Sequence, residues 1–295
     1  MDADGTMIEL QKTTINVSCT ESYAFRIVTE ILKSFGNTVT LKFKSSGMYI
    51  TEYNQKQCIL MDYYLEEEWL EVYSYDLRDL NGHPVDSYSF KVTSEEFLSG
   101  MKGVEGKKAH LIFSFDIASD GTNSGIHIDM TNISGNEFVK TFGFRDPITD
   151  SDNIYELEYS GRPTGARLSL IAFCNMITRF KQRRCNVIDY TLKKSGRIYV
   201  TGRRGKDIFS ANYLDSFARE SSKDIVNPDI DDDDSDAHTI KMALGECTWL
   251  AKLQRLNPTA IIQVYLRDKL PLVLRMKVAS IGYAVYSFRD DPHAK

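Results

Sequence analysis

The chain has 295 residues, 42% hydrophobic and 26% charged, with a formal net charge of −5. That length holds about two domains of ordinary size, the composition is that of a globular protein, and no apolar run reaches the roughly 18 residues of a membrane span. The start, Met1-Asp2-Ala3-Asp4-Gly5, has no signal-peptide character, and five scattered cysteines without a Cys-x-x-Cys pair exclude a zinc ribbon or disulfide framework, so an intracellular, reducing compartment is expected.

The first predicted helix runs from about Thr20 to Phe35. Ile27, Val28, Ile31, Leu32 and Phe35 form its apolar stripe, Ser18 with Glu21 reads as a capping box, and Gly36 as the stop. Strand-like alternation follows at Val39-Thr40-Leu41-Lys42-Phe43. A short helix is predicted from Ser94 to Lys102, capped by Thr93 with Glu96 and buried through Phe97, Leu98 and Met101. Leu111 to Phe115 and Gly125 to Met130 alternate as strands. A third helix spans about Ser169 to Gln182, with Leu170, Phe173, Cys174 and Ile177 inward, before a strand at Arg197 to Val200. The stretch Glu220 to Asp236 carries eight acids and one base, a charge of −7 that leaves the rest of the chain at +2. A fourth helix is predicted from Leu244 to Leu256, ended by Asn257-Pro258, before strands at Ile261 to Leu266 and Leu272 to Val278.

The two halves resemble each other. Lys44-Ser45-Ser46-Gly47-Met48-Tyr49-Ile50-Thr51 follows the first helix, and Lys194-Ser195-Gly196-Arg197-Ile198-Tyr199-Val200-Thr201 follows the third, about 150 residues later. The pattern predicts an α+β chain of two duplicated domains, 7–148 and 164–295, each with two helices on antiparallel sheet, joined by a connector at 149–163. Bases lie opposite the apolar stripe of every predicted helix: Arg26 and Lys33, with Glu30 between them; Lys102; Arg179, Lys181, Arg183 and Arg184; Lys252 and Arg255. For any single helix this is a solvated face, or a base complementing the helix dipole. Repeated on four helices, it suits a surface that touches nucleic-acid phosphates without reading sequence.

From Met7 to Asp290 the chain resembles the DNA sliding clamps of the proliferating cell nuclear antigen (PCNA) family. The resemblance rests on Phe43 to Thr51, on Lys194-Ser195-Gly196, and on the block from Lys269-Leu270-Pro271-Leu272-Val273-Leu274 through Lys277-Val278-Ala279-Ser280-Ile281-Gly282 to Tyr286-Ser287-Phe288. Its divergence fits a virus-encoded or otherwise remote member. The resemblance implies a homotrimeric ring whose helices line a hole for duplex DNA, acting as a polymerase processivity factor. Implied partners are a DNA polymerase, other clamp-binding peptides and a clamp loader; no cofactor, metal or membrane is implied. The implied location is the site of DNA replication, in the nucleus or a viral replication site. The implied peptide pocket is walled by Tyr53, Cys58, Leu60, Pro271, Tyr286 and Phe288, with Tyr155 and Leu157 from the connector. Lys194 matches the family's modifiable lysine.

Unpaired strand edges for ring closure are expected at His110 to Asp116 and Arg197 to Arg203. The rival readings are a non-ring processivity factor, a checkpoint-clamp subunit, a protein scaffold without DNA, and a metal-dependent nucleic-acid enzyme using the acidic run. Against the last, adjacent aspartates such as Asp231 to Asp234 are more often solvated loop, and no phosphate loop, nucleophile elbow or His-Glu-x-x-His occurs. His127 with Asp129 reads as a polar strand face, and Cys174 as core.

Overall fold

A computed structural model describes residues 11, 13–102, 110–117, 123–131, 137–142, 165–192, 198–213, 238–265 and 271–289. The chain divides into two compact units. Unit 1 is Met1–Gln55, Met61–Glu156 and Val278–Ala284; unit 2 is Lys56–Leu60, Leu157–Lys277 and Val285–Lys295.

Unit 1 is built from β1 (Thr13–Cys19), α1 (Ser22–Phe35), β2 (Thr38–Lys44), β3 (Gly47–Tyr53), β4 (Ile59–Glu66), β5 (Val72–Ser74), β6 (Ser87–Thr93), α2 (Ser94–Met101), β7 (His110–Ile117), β8 (Asn123–Thr131) and β9 (Glu137–Phe142). One sheet has the order β5-β1-β7-β8-β9, and a second run has the order β4-β3-β2-β6. The alternation read in β2 and β7 is a true inside–outside alternation. Val39, Leu41 and Phe43 are buried, as are Leu111, Phe113, Phe115 and Ile117. Phe43 and Phe115, on different sheets, meet with ring centroids 4.8 Å apart, and Phe25 of α1 lies 4.8 Å from Phe113. These aromatic contacts fasten α1 over the sheets.

Unit 2 contains β10 (Gly165–Ser169), α3 (Leu170–Gln182), β11 (Val187–Leu192), β12 (Ile198–Arg204), β13 (Asp207–Tyr213), β14 (His238–Ala243), the single turn α4 (Leu244–Cys247), a 3-10 segment (Thr248–Arg255), β15 (Ile261–Tyr265) and most of β16 (Leu272–Val278). The last strand, β17 (Gly282–Phe288), gives its first residues to unit 1 and its last to unit 2. The order β13-β12-β11-β14 in unit 2 matches β4-β3-β2-β6, and β10-β15-β16-β17 matches β1-β7-β8-β9. The duplication seen in two short sequence runs is therefore a duplication of topology.

The second cap is as predicted: the Thr93 hydroxyl accepts from Glu96 N–H at 3.3 Å and donates to the Glu96 carboxylate at 2.6 Å. The first is not. Ser18 lies within β1 and hydrogen-bonds His110 at 2.8 Å, while α1 begins after Glu21, whose carboxylate accepts from Ser280 at 3.1 Å. The fourth helix is largely 3-10. The expected sheet edges are also corrected. β7 lies between β1 and β8, and β12 between β11 and β13; the strands that end a run among the described residues are β9 and β5, β13 and β14, and β6 and β10.

In unit 1, β4 has β3 on one flank and the first residues of β17 on the other. Both approaches need glycine. Gly47 of β3 has φ +139°, and a Cβ there would overlap the Leu65 carbonyl oxygen; Gly282 of β17 has φ +155°, and a Cβ would overlap that of Tyr64. Beyond those contacts Tyr64 stacks on Tyr283 at 4.5 Å and meets Tyr49 edge-on at 5.5 Å.

Two carboxyls of this sheet are withdrawn from solvent, Asp62 buried and Glu52 half-buried. Burial pushes Glu52 up to about 7 and Asp62 up to about 6, against backbone and Thr51 hydrogen bonds that act the other way. Glu52 Oε2 and Asp62 Oδ1 have no hydrogen-bond partner. In the native state these groups hold protons that the unfolded chain has already lost near pH 4. The stabilisation is complete below the unfolded values, is lost as pH rises through about 6 to 7, and stays lost above. Glu52→Gln with Asp62→Asn should therefore raise the melting temperature at pH 8 and flatten its fall between pH 4.5 and 7. Thermal melts across that range check this, and parallel wild-type and variant curves would contradict it.

Candidate nucleic-acid interface

The exposed side of α1 presents Tyr23, Arg26, Glu30, Lys33 and Ser34, because the 3.6-residue repeat puts every other position into the core. Its bases are matched by acids. Arg26 Nε lies 3.4 Å from Glu30 one turn on, and Lys33 Nζ lies 3.1 Å from Glu95 of α2. Such surface pairs add little stability, about 0–1 kcal/mol, but they neutralise the face. Lys102 is exposed at the end of α2. The sequence displayed Glu30; Glu95 becomes a partner only when α2 packs beside α1.

Unit 2 is different. Arg179 lies on the exposed side of α3 with Ile171, Asn175 and Gln182, and Lys181 is exposed on its flank. Arg183 and Arg184 are past the helix end. Arg183 is the cap residue, and Arg184 takes φ +55°, turning the chain away from the helix axis. The Arg183 guanidinium sits over the Phe209 ring of β13 at 4.7 Å, and that of Arg204 at 5.7 Å. Arg204 also donates to the Arg183 carbonyl at 3.4 Å and to Asp207 at 2.7 Å. The end of α3 is thereby tied to the β12–β13 hairpin, whose tip is Arg204-Gly205-Lys206-Asp207. Close packing there requires Gly202, since a Cβ would stand 2.6 Å from Phe180 and 2.9 Å from the Cys185 sulfur. On the opposite face of the sheet Arg203 Nη2 is 2.5 Å from Asp189 Oδ2, an ionic contact outside hydrogen-bond geometry that compensates a buried carboxylate. Lys252 is half-exposed and Arg255 exposed on the 3-10 segment.

Sequence reading missed Arg203, Arg204, Lys206 and Phe209. The available signal was the run Gly202-Arg203-Arg204-Gly205-Lys206, a hairpin turn with bases on both sides of its glycine.

Of the residues expected to wall a peptide pocket, Cys58 lies beside the end of β17, where Arg289 N–H donates to its carbonyl at 2.8 Å. Tyr53 of unit 1 is half-exposed, as are Cys58 and Pro271 of unit 2. Leu60 is 6% exposed, and Tyr286 and Phe288 are at 0%. The last two face the core against Trp249, with centroids 5.0 and 6.4 Å away, so they are packing residues and not pocket walls; Ser287 between them takes the other face of β17. Tyr155, Leu157, Lys194 and the run Glu220 to Asp236 lie outside the described residues. His127 pairs with Asp116 at 2.9 Å across β7–β8, and no group of three or more His, Cys, Asp or Glu is placed for a metal among the described residues. No helix there is long and apolar enough to cross a membrane.

No family model and no curated protein sequence matches the chain. Solved structures do. A crystal structure of the PCNA2–PCNA3 complex of Sulfolobus tokodaii superposes with a TM-score of 0.69 at 15% identity, covering 95% of this chain and 100% of the other. The proliferating cellular nuclear antigen of Entamoeba histolytica gives 0.68 at 13% identity, covering 94% and 98%. The chain has the PCNA-like sliding-clamp fold. At these identities the likeness carries the fold, and the chemistry rests on this chain's own residues.

On this fold the cysteines are core residues, with one exception. Burial pushes Cys19 up to about 12 and Cys174 up to about 11, and the Cys174 thiol donates to the Leu250 carbonyl at 3.2 Å. Cys185 and Cys247 are buried, and Cys58 is half-exposed. Native protein treated with iodoacetamide at pH 8 should be modified at Cys58 well before the other four, as read by peptide mass spectrometry. Equal rates at Cys58 and Cys19 would contradict the placement.

Proposed function

We propose that this chain is a DNA sliding clamp: a non-enzymatic subunit whose copies close into a ring around duplex DNA and hold a polymerase on it. One observation carries the reading. The flank of β4 is closed by β17, and the duplicated counterparts of β4 and β17 are β13 and β9, whose corresponding flanks are open. The pairing already made once within the chain can then be repeated, β9 of one copy against β13 of the next. A head-to-tail contact of this kind generates a closed ring when its rotation closes. Three copies are the stoichiometry that the family resemblance implies, and bases on exposed helix faces suit the phosphates of a duplex held without sequence preference. Polymerase and other clamp-binding peptides, and a loader that opens the ring, are the partners this function requires.

The geometry of β13 supplies a selective test. Arg204 and Asp207 close a two-residue turn, the pair that exchanges both its hydrogen bonds in such hairpins. The next pair, Arg203 with Ile208, therefore points its peptide groups outward. Ile208 is 66% exposed. Ile208→Pro removes an outward donor and no β12 bond. Sedimentation at micromolar concentration should give a species of about three times 33.6 kDa for the wild type and a monomer for Ile208→Pro. A wild-type monomer would favour a non-ring processivity factor, and a mass independent of the proline would place the contact elsewhere.

A further inference from the structure

We propose, resting on the clamp reading above, that the two units divide DNA contact unequally. Unit 2 carries it, over a basic surface that runs from the exposed side of α3 around its C-terminal end to the tip of the β12–β13 hairpin. Lys206 at the hairpin tip is a part of the phosphate-binding surface that the helix faces alone do not reveal, and Arg204 is the positioning residue that ties this tip to the helix end.

The charge balance separates the units. On the helix side of unit 1, Arg26 and Lys33 each face a carboxylate within 3.4 Å, which leaves Lys102 at the end of α2. In unit 2, Arg179, Lys181, Arg183, Arg184, Arg204 and Lys206 are all exposed, and the carboxylate in ion-pair range of that group among the described residues is Asp207, on Arg204. Six bases against one acid make a surface where counterions are condensed by the ligand and released from it, the source of salt-dependent affinity for nucleic acid.

The surface is also built and not merely charged. In the β12–β13 register Gly202 is opposite Phe209 and Arg204 opposite Asp207, so all four project to the side of the sheet that carries α3. Phe209 is there a platform for two guanidiniums, and the Arg204 bond to the Arg183 carbonyl fixes hairpin tip to helix end. Arg183, stacked on the ring, keeps its N–H edges for an incoming phosphate and, held in this way, loses little side-chain entropy when one arrives, whereas Arg204 spends its Nε, Nη1 and Nη2 donors on Asp207 and the Arg183 carbonyl and positions the tip. Arg203, on the opposite face with Asp189, takes no part. The spacing shows no base-reading pattern, so the ligand is a phosphate backbone.

The test measures fluorescence anisotropy of short linear duplexes of two unrelated sequences, over a salt series, with the full chain. Open duplex ends let a ring thread without a loader. Two double variants are compared, Arg184→Gln with Lys206→Gln, and Arg26→Gln with Lys33→Gln, each checked for unchanged melting temperature and unchanged mass. Arg183→Gln with Lys206→Gln serves if Arg184→Gln disturbs the turn after α3. The unit 2 pair should lower the slope of log affinity against log salt by about 1.8, as loss of two phosphate contacts does, and equally for both sequences. The unit 1 pair should change it by less than about 0.5. Wild-type binding left intact by the unit 2 variants, or lost as much by the unit 1 pair, would overturn this proposal and leave the clamp reading standing. A wild type without salt-dependent duplex affinity would overturn both. Displacement of the duplex by wild-type binding to an acidic peptide of higher affinity would assign the surface to a protein partner and overturn the proposal as well.

Discussion

A strand at the end of a sheet leaves a row of peptide groups without partners, and this chain is organised by how it closes such rows. In unit 1 the far flank of β4 is taken by β17, and the fit depends on Gly282, where any side chain would collide with the Tyr64 carbonyl. Gly47 performs the same service on the β3 flank. β4 thus sits between two strands that approach more closely than side chains allow, and the chain's last strand returns to its first unit. The same duplicated topology leaves β9 and β13 with no such closure among the described residues. A fold that pairs one such flank internally and leaves its counterparts open is suited to assembly by the contact it already makes.

Electrostatics add a second level. A net charge of −5 argues against nucleic acid only if the charge is spread evenly, and it is not. The acids of Glu220 to Asp236 account for more than the whole excess. Of the two helix faces, the α1 bases of unit 1 are neutralised through Glu30 and Glu95, whereas the basic surface of unit 2 is stiffened by Phe209. Stability and binding are separated in the same strand: Arg203 compensates the buried Asp189 on one face of β12, and its neighbour Arg204 is turned to the other.

Much of the fold was legible because hydrophobic periodicity reports burial directly. The stripe of α1, the alternation of β2 and β7, and the Thr93–Glu96 cap are local patterns with local causes. Edges and caps that depend on distant partners were not. Ser18 and Glu21 have the spacing of a capping box, but Ser18 is held in β1 by its pairing with β7 and by His110. Whether β7 or β9 ends a sheet is a matter of strand order, which no single strand encodes. The family resemblance assigned Tyr286 and Phe288 to pocket walls, yet a strand sends alternate residues to opposite faces, and their face meets Trp249. The bases of α3 were visible, whereas those of the hairpin become one surface with them only when Phe209 brings β13 to the helix end.

The central claim is that β9 and β13 are the surfaces by which copies join. Amide hydrogen exchange measured over a range of protein concentrations tests it most directly, because only an intermolecular ladder makes protection depend on concentration. The account predicts that amides of Glu137–Phe142 and Asp207–Tyr213 gain protection as concentration rises into the micromolar range, while those of β5 and β14 do not change. Protection at β9 and β13 that is independent of concentration, or gains confined to β5 and β14, would contradict it.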